Sequence, residues 1–108
     1  MTRPVLERAI ENSVCVGVYE GSTQLAFTRV VTDLATFAYL TDVIVAEHVR
    51  GRGVGSWMVE AILAHPDLRG DGFRRIALVT RDALTLYERF GFSATMPGLT
   101  YMERRPPG

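Results

Sequence analysis

The residues best suited to chemistry form a glycine-rich turn, Arg50-Gly51-Arg52-Gly53-Val54-Gly55, between a strand-like run and a helical run. Closely spaced glycines let the backbone turn sharply and let a ligand approach the amides. The first N–H groups of a helix have no partner inside the helix, and the helix dipole adds positive potential there. Together with two arginine side chains, the turn is suited to an anion, above all phosphate. The alternative is an ordinary helix-start turn with exposed arginines.

Two common phosphate-binding patterns are excluded at this turn. The Walker pattern requires a lysine, and the chain contains none. The dinucleotide pattern G-x-G-x-x-G fails because Ser56 stands where the third glycine would be. The turn therefore indicates a phosphate ligand of another kind.

The composition is that of one ordinary globular domain, spanning residues 1–108. Twelve arginines balance 12 acidic residues, so the formal net charge is zero, and 47% of the residues are hydrophobic. Zero net charge argues against a nucleic-acid-binding domain, and no apolar run reaches the ~18 residues of a membrane span. The absence of lysine excludes lysine Schiff-base chemistry.

The one cysteine, Cys15, lies in a β-branched run and is expected to be a buried core residue. Because it has no partner for an intrachain disulfide, the chain needs no oxidising compartment, and we expect a cytoplasmic protein. Neither His48 nor His65 forms a metal constellation with it, and no metal is expected.

The elements that must position the turn follow from the hydrophobic periodicity. Helices are expected at Thr2–Asn12, with an apolar face, from Val54 to about His65, and from an Asp82 N-cap through Phe90. The second of these should bury Val54, Trp57, Met58, Ala61 and Ile62. Strands are expected at Val14–Tyr19, Gln24–Thr32, Thr36–Val45, Arg75–Thr80 and Leu99–Glu103.

This order predicts an α/β (α+β) fold with a mixed sheet. The first three strands form an antiparallel meander, and a right-handed β-α-β crossover then adds a parallel strand. Ligands of open sheets gather at the carboxyl ends of strands where the topology changes, here between Val43 and Gly55.

Three stretches together resemble the GNAT superfamily of acetyl-CoA-dependent N-acetyltransferases. They are Val43-Ile44-Val45, the Arg50-x-x-Gly53-x-Gly55 motif, and Leu86-Tyr87-x-x-Phe90-Gly91-Phe92. The resemblance runs from about Glu7 to Glu103 and is nearest to a subgroup of small bacterial proteins. It implies that acetyl-CoA is the cosubstrate and that an amine is the acceptor.

The resemblance also implies the cofactor-binding residues. The pyrophosphate of coenzyme A would rest on the turn formed by Arg50, Gly51, Arg52, Gly53, Val54 and Gly55. The pantetheine arm would lie along Val43, Ile44 and Val45, because the two parallel strands diverge there. Thr80 stands where many relatives have asparagine, and its shorter side chain would donate one hydrogen bond to this arm.

Tyr87 matches the family's tyrosine, which protonates the departing thiolate. A tyrosine pKa near ~10 against ~8.5 for a thiol makes it a weak but workable acid. Packing is the alternative, since Tyr87 shares a stripe with Phe90. Asp42 is the candidate base for the acceptor ammonium, and a solvent-facing or capping carboxylate is its alternative. Simple alternation puts Tyr39 on the opposite strand face from Asp42, unless a bulge intervenes.

The chain is shorter than a typical family domain, and the resemblance implies that the family's first strand and helix are missing. The interpretations are a chain that starts at an internal methionine, a natural short form with an open acceptor side, or a homodimer that covers the edge at Val14–Tyr19. The acceptor pocket would draw on Phe37, Tyr39 and the Met96-Pro97-Gly98 loop.

The expected function is transfer of acetyl from acetyl-CoA to a primary amine on a small molecule, by direct attack in a ternary complex. The alternative is a coenzyme-A-binding module without catalysis. A nucleic-acid-binding domain that uses Arg50, Arg52, Arg74 and Arg75 is the weakest interpretation.

Overall fold

The computed structural model describes residues 2–94 and 97–107. The elements are, in chain order, α1 (Arg3–Glu11), β1 (Val14–Glu20), β2 (Thr23–Thr32), β3 (Phe37–Val45), α2 (Val54–Ala64), β4 (Arg75–Leu78) and α3 (Leu84–Glu88). Short 3₁₀ turns at Glu47–Val49 and Pro66–Leu68 flank α2. No helix within the described ranges is long and apolar enough to cross a membrane.

The strands form one mixed sheet in the order β1-β2-β3-β4. Strands β1 and β2, and β2 and β3, pair antiparallel, whereas β3 and β4 pair parallel. The crossover between the parallel strands carries α2. The predicted antiparallel meander followed by a parallel β-α-β unit is confirmed.

Helix α2 packs against β1 and β2 and supplies much of the core. Its buried residues are Val54, Met58, Val59 and Ile62. The prediction that Trp57 and Ala61 share this face is wrong, because both are exposed. The stripe runs along Val54, Met58 and Ile62, with Val59 on one flank, so Trp57 and Ala61 fall on the opposite flank toward solvent.

Both ends of the chain lie outside the core. Helix α1 has no buried residue, so its apolar face with Val5, Leu6 and Ile10 is exposed. The predicted strand at Leu99–Glu103 is wrong: this segment is irregular and exposed, and pairs with no strand of the sheet. The predicted burial of Cys15 is also wrong. In β1 it is Val16 that faces the core, and the neighbouring side chain points to the opposite face.

A bulge interrupts the pairing of β2 with β3. The register moves from Phe27↔Ile44 to Arg29↔Thr41, so β3 carries one residue more than β2 over this stretch. Asp42 lies at the bulge with φ +51°, in the left-handed region. The extra residue reverses the alternation: Leu40 faces the core before the bulge, and Val45 packs against the core after it.

Candidate functional site

A cleft of about 720 Å³ opens where β3 and β4 separate. Parallel pairing ends at Leu40↔Leu78, although β3 continues to Val45. The two strands thus diverge at their carboxyl ends, and the glycine turn, the start of α2 and α3 close the sides of the gap. An elongated ligand fits such a gap, because β3 is paired only on its β2 side there.

Most of the predicted site residues line this cleft. They are Asp42, Val43, Val45, Arg50, Gly51, Gly53, Val54, Gly55, Thr80 and Tyr87. Ile44 and Arg52 do not line it. Ile44 instead borders a smaller pocket of about 200 Å³ beside Phe27, because the bulge turns its side chain away from the cleft.

The glycine turn has the conformation that an anion site needs. Gly51 and Gly53 have φ of +81° and +84°, which other residues adopt only at a cost. Gly53 is the N-cap of α2, and no side chain caps the helix there. The first amides of α2 therefore remain open to a ligand. The Arg50 Nε donates to the Val45 carbonyl at 3.3 Å, so this arginine is held at the end of β3.

Tyr87 is held in the cleft wall by the residues that follow it. Gly91, with φ +91°, turns the chain so that the Phe92 N–H donates to the Tyr87 carbonyl at 3.2 Å. The Phe92 ring then packs edge-on against Tyr87, with centroids 5.6 Å apart. Burial raises the pKa of Tyr87 above its usual value, so the phenol stays protonated across the neutral range.

The approach of α2 to α3 depends on Gly55. A Cβ added there would lie 3.2 Å from Leu86 Cδ2, so a larger residue would push against the helix that carries Tyr87. Gly55 thus serves the spacing of the two helices as well as the turn.

Helix α3 starts later than predicted. Ala83, not Asp82, is its N-cap, and β4 ends at Leu78 rather than Thr80. The Thr80 hydroxyl accepts a hydrogen bond from the Ala83 N–H at 3.0 Å. It therefore stabilises the start of α3, and its own proton stays available for a ligand in the cleft.

Asp42 is bound to Arg29, which the sequence analysis did not single out. The Arg29 Nε lies 2.7 Å from Asp42 Oδ2, and the Arg29 Nη1 donates to the Ser13 Oγ at 3.3 Å. The only sequence signal was a charged residue within the apolar run of β2. The bulge brings Asp42 to the cleft together with Tyr39, which also lines it.

Arginines give the cleft a positive side near the turn. Besides Arg50, the lining includes Arg81 and Arg89, and Arg89 Nη2 donates to Ser56 Oγ at 3.4 Å. Asp82 is the nearby acidic residue in the lining. This charge distribution suits a phosphate-bearing ligand.

The histidines lie outside the cleft lining. His48 is exposed, and His65 caps a 3₁₀ turn by accepting from the Asp67 N–H at 3.1 Å. Residues 2–94 and 97–107 contain no group of three or more side chains able to hold a metal ion. Of the residues predicted to form the acceptor pocket, Tyr39 lines the cleft, Phe37 does not, and Met96 lies outside the described residues.

The mixed sheet and the cleft define an α/β domain whose parallel strands diverge at a glycine turn, and comparison with known proteins identifies the family. The model of the acetyltransferase (GNAT) domain matches residues 11–94. The chain therefore belongs to the GNAT acetyltransferase family.

Individual relatives agree with this assignment. A Xanthomonas campestris pv. campestris protein, assigned as a GNAT-family acetyltransferase, is 46% identical, with a TM-score of 0.83 over 97% of this chain and 72% of that one. A Gibberella zeae protein assigned as an acetyltransferase, FG08082, is 33% identical over 73% of this chain. The match spans about half of that fungal relative, 54% of its length. The family resemblance thus extends beyond bacteria.

A third similar structure is that of a predicted acetyltransferase from Clostridium acetobutylicum with acetyl-CoA. It has a TM-score of 0.67 over 93% of this chain and 71% of that one, at 19% identity. At that identity the comparison shows a shared fold.

Proposed function

We propose that the chain transfers an acetyl group from acetyl-CoA to a primary amine on a small molecule, by direct attack within a ternary complex. The main support is that one cleft combines three features. They are the diverging ends of β3 and β4, the uncapped glycine turn at α2, and the Tyr87 side chain. Family membership supports acetyl transfer as the reaction class.

The cofactor's phosphates would be held by the open amides that follow Gly53 and by Arg50. Its pantetheine arm would lie along Val43–Val45, on the side of β3 that β4 leaves unpaired. Acetyl-CoA supplies the activated carbonyl when bound. A backbone N–H near Val43, next to the bulge, is the proposed donor to the oxyanion.

Asp42 is the proposed base, which takes a proton from the acceptor ammonium directly or through water. The amine nitrogen then bonds to the thioester carbonyl carbon and loses its second proton to solvent, and the carbon–sulfur bond breaks. Tyr87 donates its phenolic proton to the leaving thiolate and recovers a proton from solvent. Burial raises the pKa of Tyr87, so the phenol is in the protonated form that an acid needs, although the higher pKa also lowers the driving force for giving up the proton.

The first test is a thermal melt of the chain with and without excess acetyl-CoA. At about a hundred times the dissociation constant, binding adds roughly 2.7 kcal/mol. For a domain of this size that corresponds to a shift on the order of 10 °C. A cooperative melt without a shift would contradict the proposed cofactor site.

Turnover with a panel of amines distinguishes catalysis from binding alone. We expect Tyr87→Phe to lower kcat by about 10²-fold while the dissociation constant of acetyl-CoA stays within about twofold. Unchanged turnover in this variant would remove the acid role.

The second candidate function is a coenzyme-A-binding module without catalysis. One observation favours it: neither α1 nor residues 97–107 line the cleft, so these segments supply no wall for an acceptor in the described part of the chain. A melt shift by acetyl-CoA without turnover of any amine would support this candidate over the first.

Homodimer formation is a separate proposal, supported by β1 as an edge strand of the described sheet. Glu20 is its only charged residue, so little along the edge opposes pairing. Sedimentation velocity at several concentrations tests it, and a concentration-independent monomer would contradict it. A cytoplasmic location is likewise proposed, supported by the single cysteine.

A further inference from the structure

Arg29 has an unusual environment among the ion-paired arginines of the described ranges. Its side chain is 13% exposed, whereas those of Arg3 and Arg105 are 89% and 82% exposed. Withdrawing a guanidinium from water is costly unless it is paired and hydrogen-bonded. Arg29 meets that condition through Asp42 and Ser13, so both contacts depend on its exact place in β2.

The ion pair engages one oxygen of the Asp42 carboxylate. Arg29 Nε binds Oδ2, and within residues 2–94 and 97–107 no hydrogen bond to Oδ1 is found. The Asp42 side chain is 39% exposed and lines the cleft, so a ligand can reach it. One oxygen is thus anchored and the other is available.

The backbone of Asp42 is also constrained. Its φ of +51° is uncommon for a residue with a Cβ, and such conformations persist only where the surroundings enforce them. The register places Arg29 opposite Thr41, one residue from the bulge. The guanidinium therefore holds the carboxylate of a residue whose backbone is already constrained.

We infer that Arg29 is a positioning residue for acetyl transfer. It fixes Asp42 through Oδ2, so that Oδ1 is presented to the amine that enters the cleft. The inference rests on the proposed function, in which Asp42 is the base. It adds a residue on β2 that does not line the cleft and acts only through Asp42.

The test is a double-mutant cycle in the full chain, with acetyl-CoA and the best amine of the panel. We expect Asp42→Asn to lower kcat by about 10²-fold or more, and Arg29→Met by about tenfold. The double variant should be no slower than Asp42→Asn alone, because Arg29 acts through that carboxylate. The KM for acetyl-CoA should not change, since the glycine turn is untouched.

Two further variants distinguish a specific loss of the Arg29 contact from a general loss of folding. Arg29→Lys keeps a charge that can reach the carboxylate, so it should recover part of the lost kcat. Arg3→Met breaks a 2.8 Å ion pair on the exposed face of α1 and should leave kcat unchanged. Melting curves of all variants identify any that are unfolded, and Arg29→Lys then replaces Arg29→Met in the cycle.

The outcomes separate the inference from the proposed function. Losses in kcat that multiply in the double variant would overturn the role of Arg29, as would an Arg29 effect confined to the KM for acetyl-CoA. If Asp42→Asn retains full kcat while Tyr87→Phe is slow, the inference fails and acetyl transfer stands. If the wild-type chain acetylates no amine, the proposed function fails and the inference fails with it.

Discussion

Helices α1 and α2 use similar apolar residues at helical spacing, but they are packed in opposite ways. Four residues of α2 are buried in the core. Helix α1 has no buried residue, although it carries Val5, Leu6 and Ile10. Periodicity therefore identified both helices, but burial needed a partner surface that only α2 has here. The proposed cofactor-binding side of the molecule is built on the core, whereas α1 is not.

This difference matters for function because the proposed cofactor contacts and α1 have different supports. The proposed phosphate and pantetheine contacts come from backbone groups anchored to buried strands and to α2. Helix α1 is connected to the sheet by hydrogen bonds of Ser13, whose hydroxyl donates to the Ala9 carbonyl and accepts from Arg29. We therefore expect perturbations of the core to affect every property, and perturbations of the α1 face to affect few.

The largest contrast should appear in stability. Ile62→Ala removes a side chain that is 0% exposed, and we expect it to lower the free energy of unfolding by about 2–5 kcal/mol. Ile10→Ala is the matched change on α1, where the side chain is 41% exposed, and its effect should stay within about 0.5 kcal/mol. Urea titrations measure both. A large loss in Ile10→Ala would show that α1 packs on the domain in solution.

The next contrast concerns the glycine turn. Gly53→Ala imposes about 1–2 kcal/mol of left-handed strain on the N-cap of α2, and we expect acetyl-CoA to bind about tenfold more weakly. Gly21→Ala is the control, because Gly21 has φ +60° in the β1–β2 turn and open space around it. Gly21→Ala should lower the stability by a similar amount, and calorimetry should find its affinity for acetyl-CoA unchanged. Equal affinities in both variants would contradict the turn as the phosphate site.

A smaller effect is expected from the ionisation of Tyr87. Its folded pKa is raised by burial above the unfolded value near 10, so the stability that depends on the neutral phenol is complete below pH 10. As pH rises above 10, the wild-type chain should lose stability relative to Tyr87→Phe. Denaturant midpoints of the two proteins at pH 9 and 11 measure this. Parallel behaviour would mean that the phenol is not buried in solution.

The smallest effect should come from the turn that leads into β3. The Asp33 carboxylate accepts from the Thr36 hydroxyl and from the backbone N–H groups of Thr36 and Ala35, at 2.7 and 2.9 Å for the two amides. These bonds hold the pKa of Asp33 well below its usual range. Its contribution is therefore present above about pH 4 and is lost as the pH falls further.

Asp33→Asn should lower the melting temperature at pH 7, and the difference from wild type should shrink in acid. Acetyl-CoA binding should not change, because Asp33 does not line the cleft. A difference that is the same at pH 7 and pH 2 would contradict the charge as its cause.

Much of the fold could be predicted because it follows from local patterns. The meander, the crossover and the glycine turn are encoded by alternation, periodicity and turn residues, and each agrees with the observed order. The chemistry predicted for the cleft rested mainly on the family motifs, because Tyr87 considered alone fits packing as well as catalysis. Its burial and its place in the cleft are compatible with both.

The remaining features depend on contacts that no local pattern specifies. Cys15 and Trp57 are residue types that are often buried. In the structure, however, the sheet face that carries Cys15 and the helix flank that carries Trp57 are exposed. Leu99–Glu103 has strand-forming residues but no partner strand. Arg29 was missed because its role depends on a register shift that brings it to Asp42, and such a shift is a property of two strands together.

The extra residue in β3 behaves as an insertion that the sheet accommodates. Leu40 faces the core upstream of Asp42 and Val45 packs against the core downstream, so the core-facing positions change from even to odd numbers at this residue. Deleting Asp42 would therefore give β2 and β3 an uninterrupted register and leave Val43 and Val45 on their present face. The bulge thus adds a carboxylate at the cleft without turning the residues on either side of it.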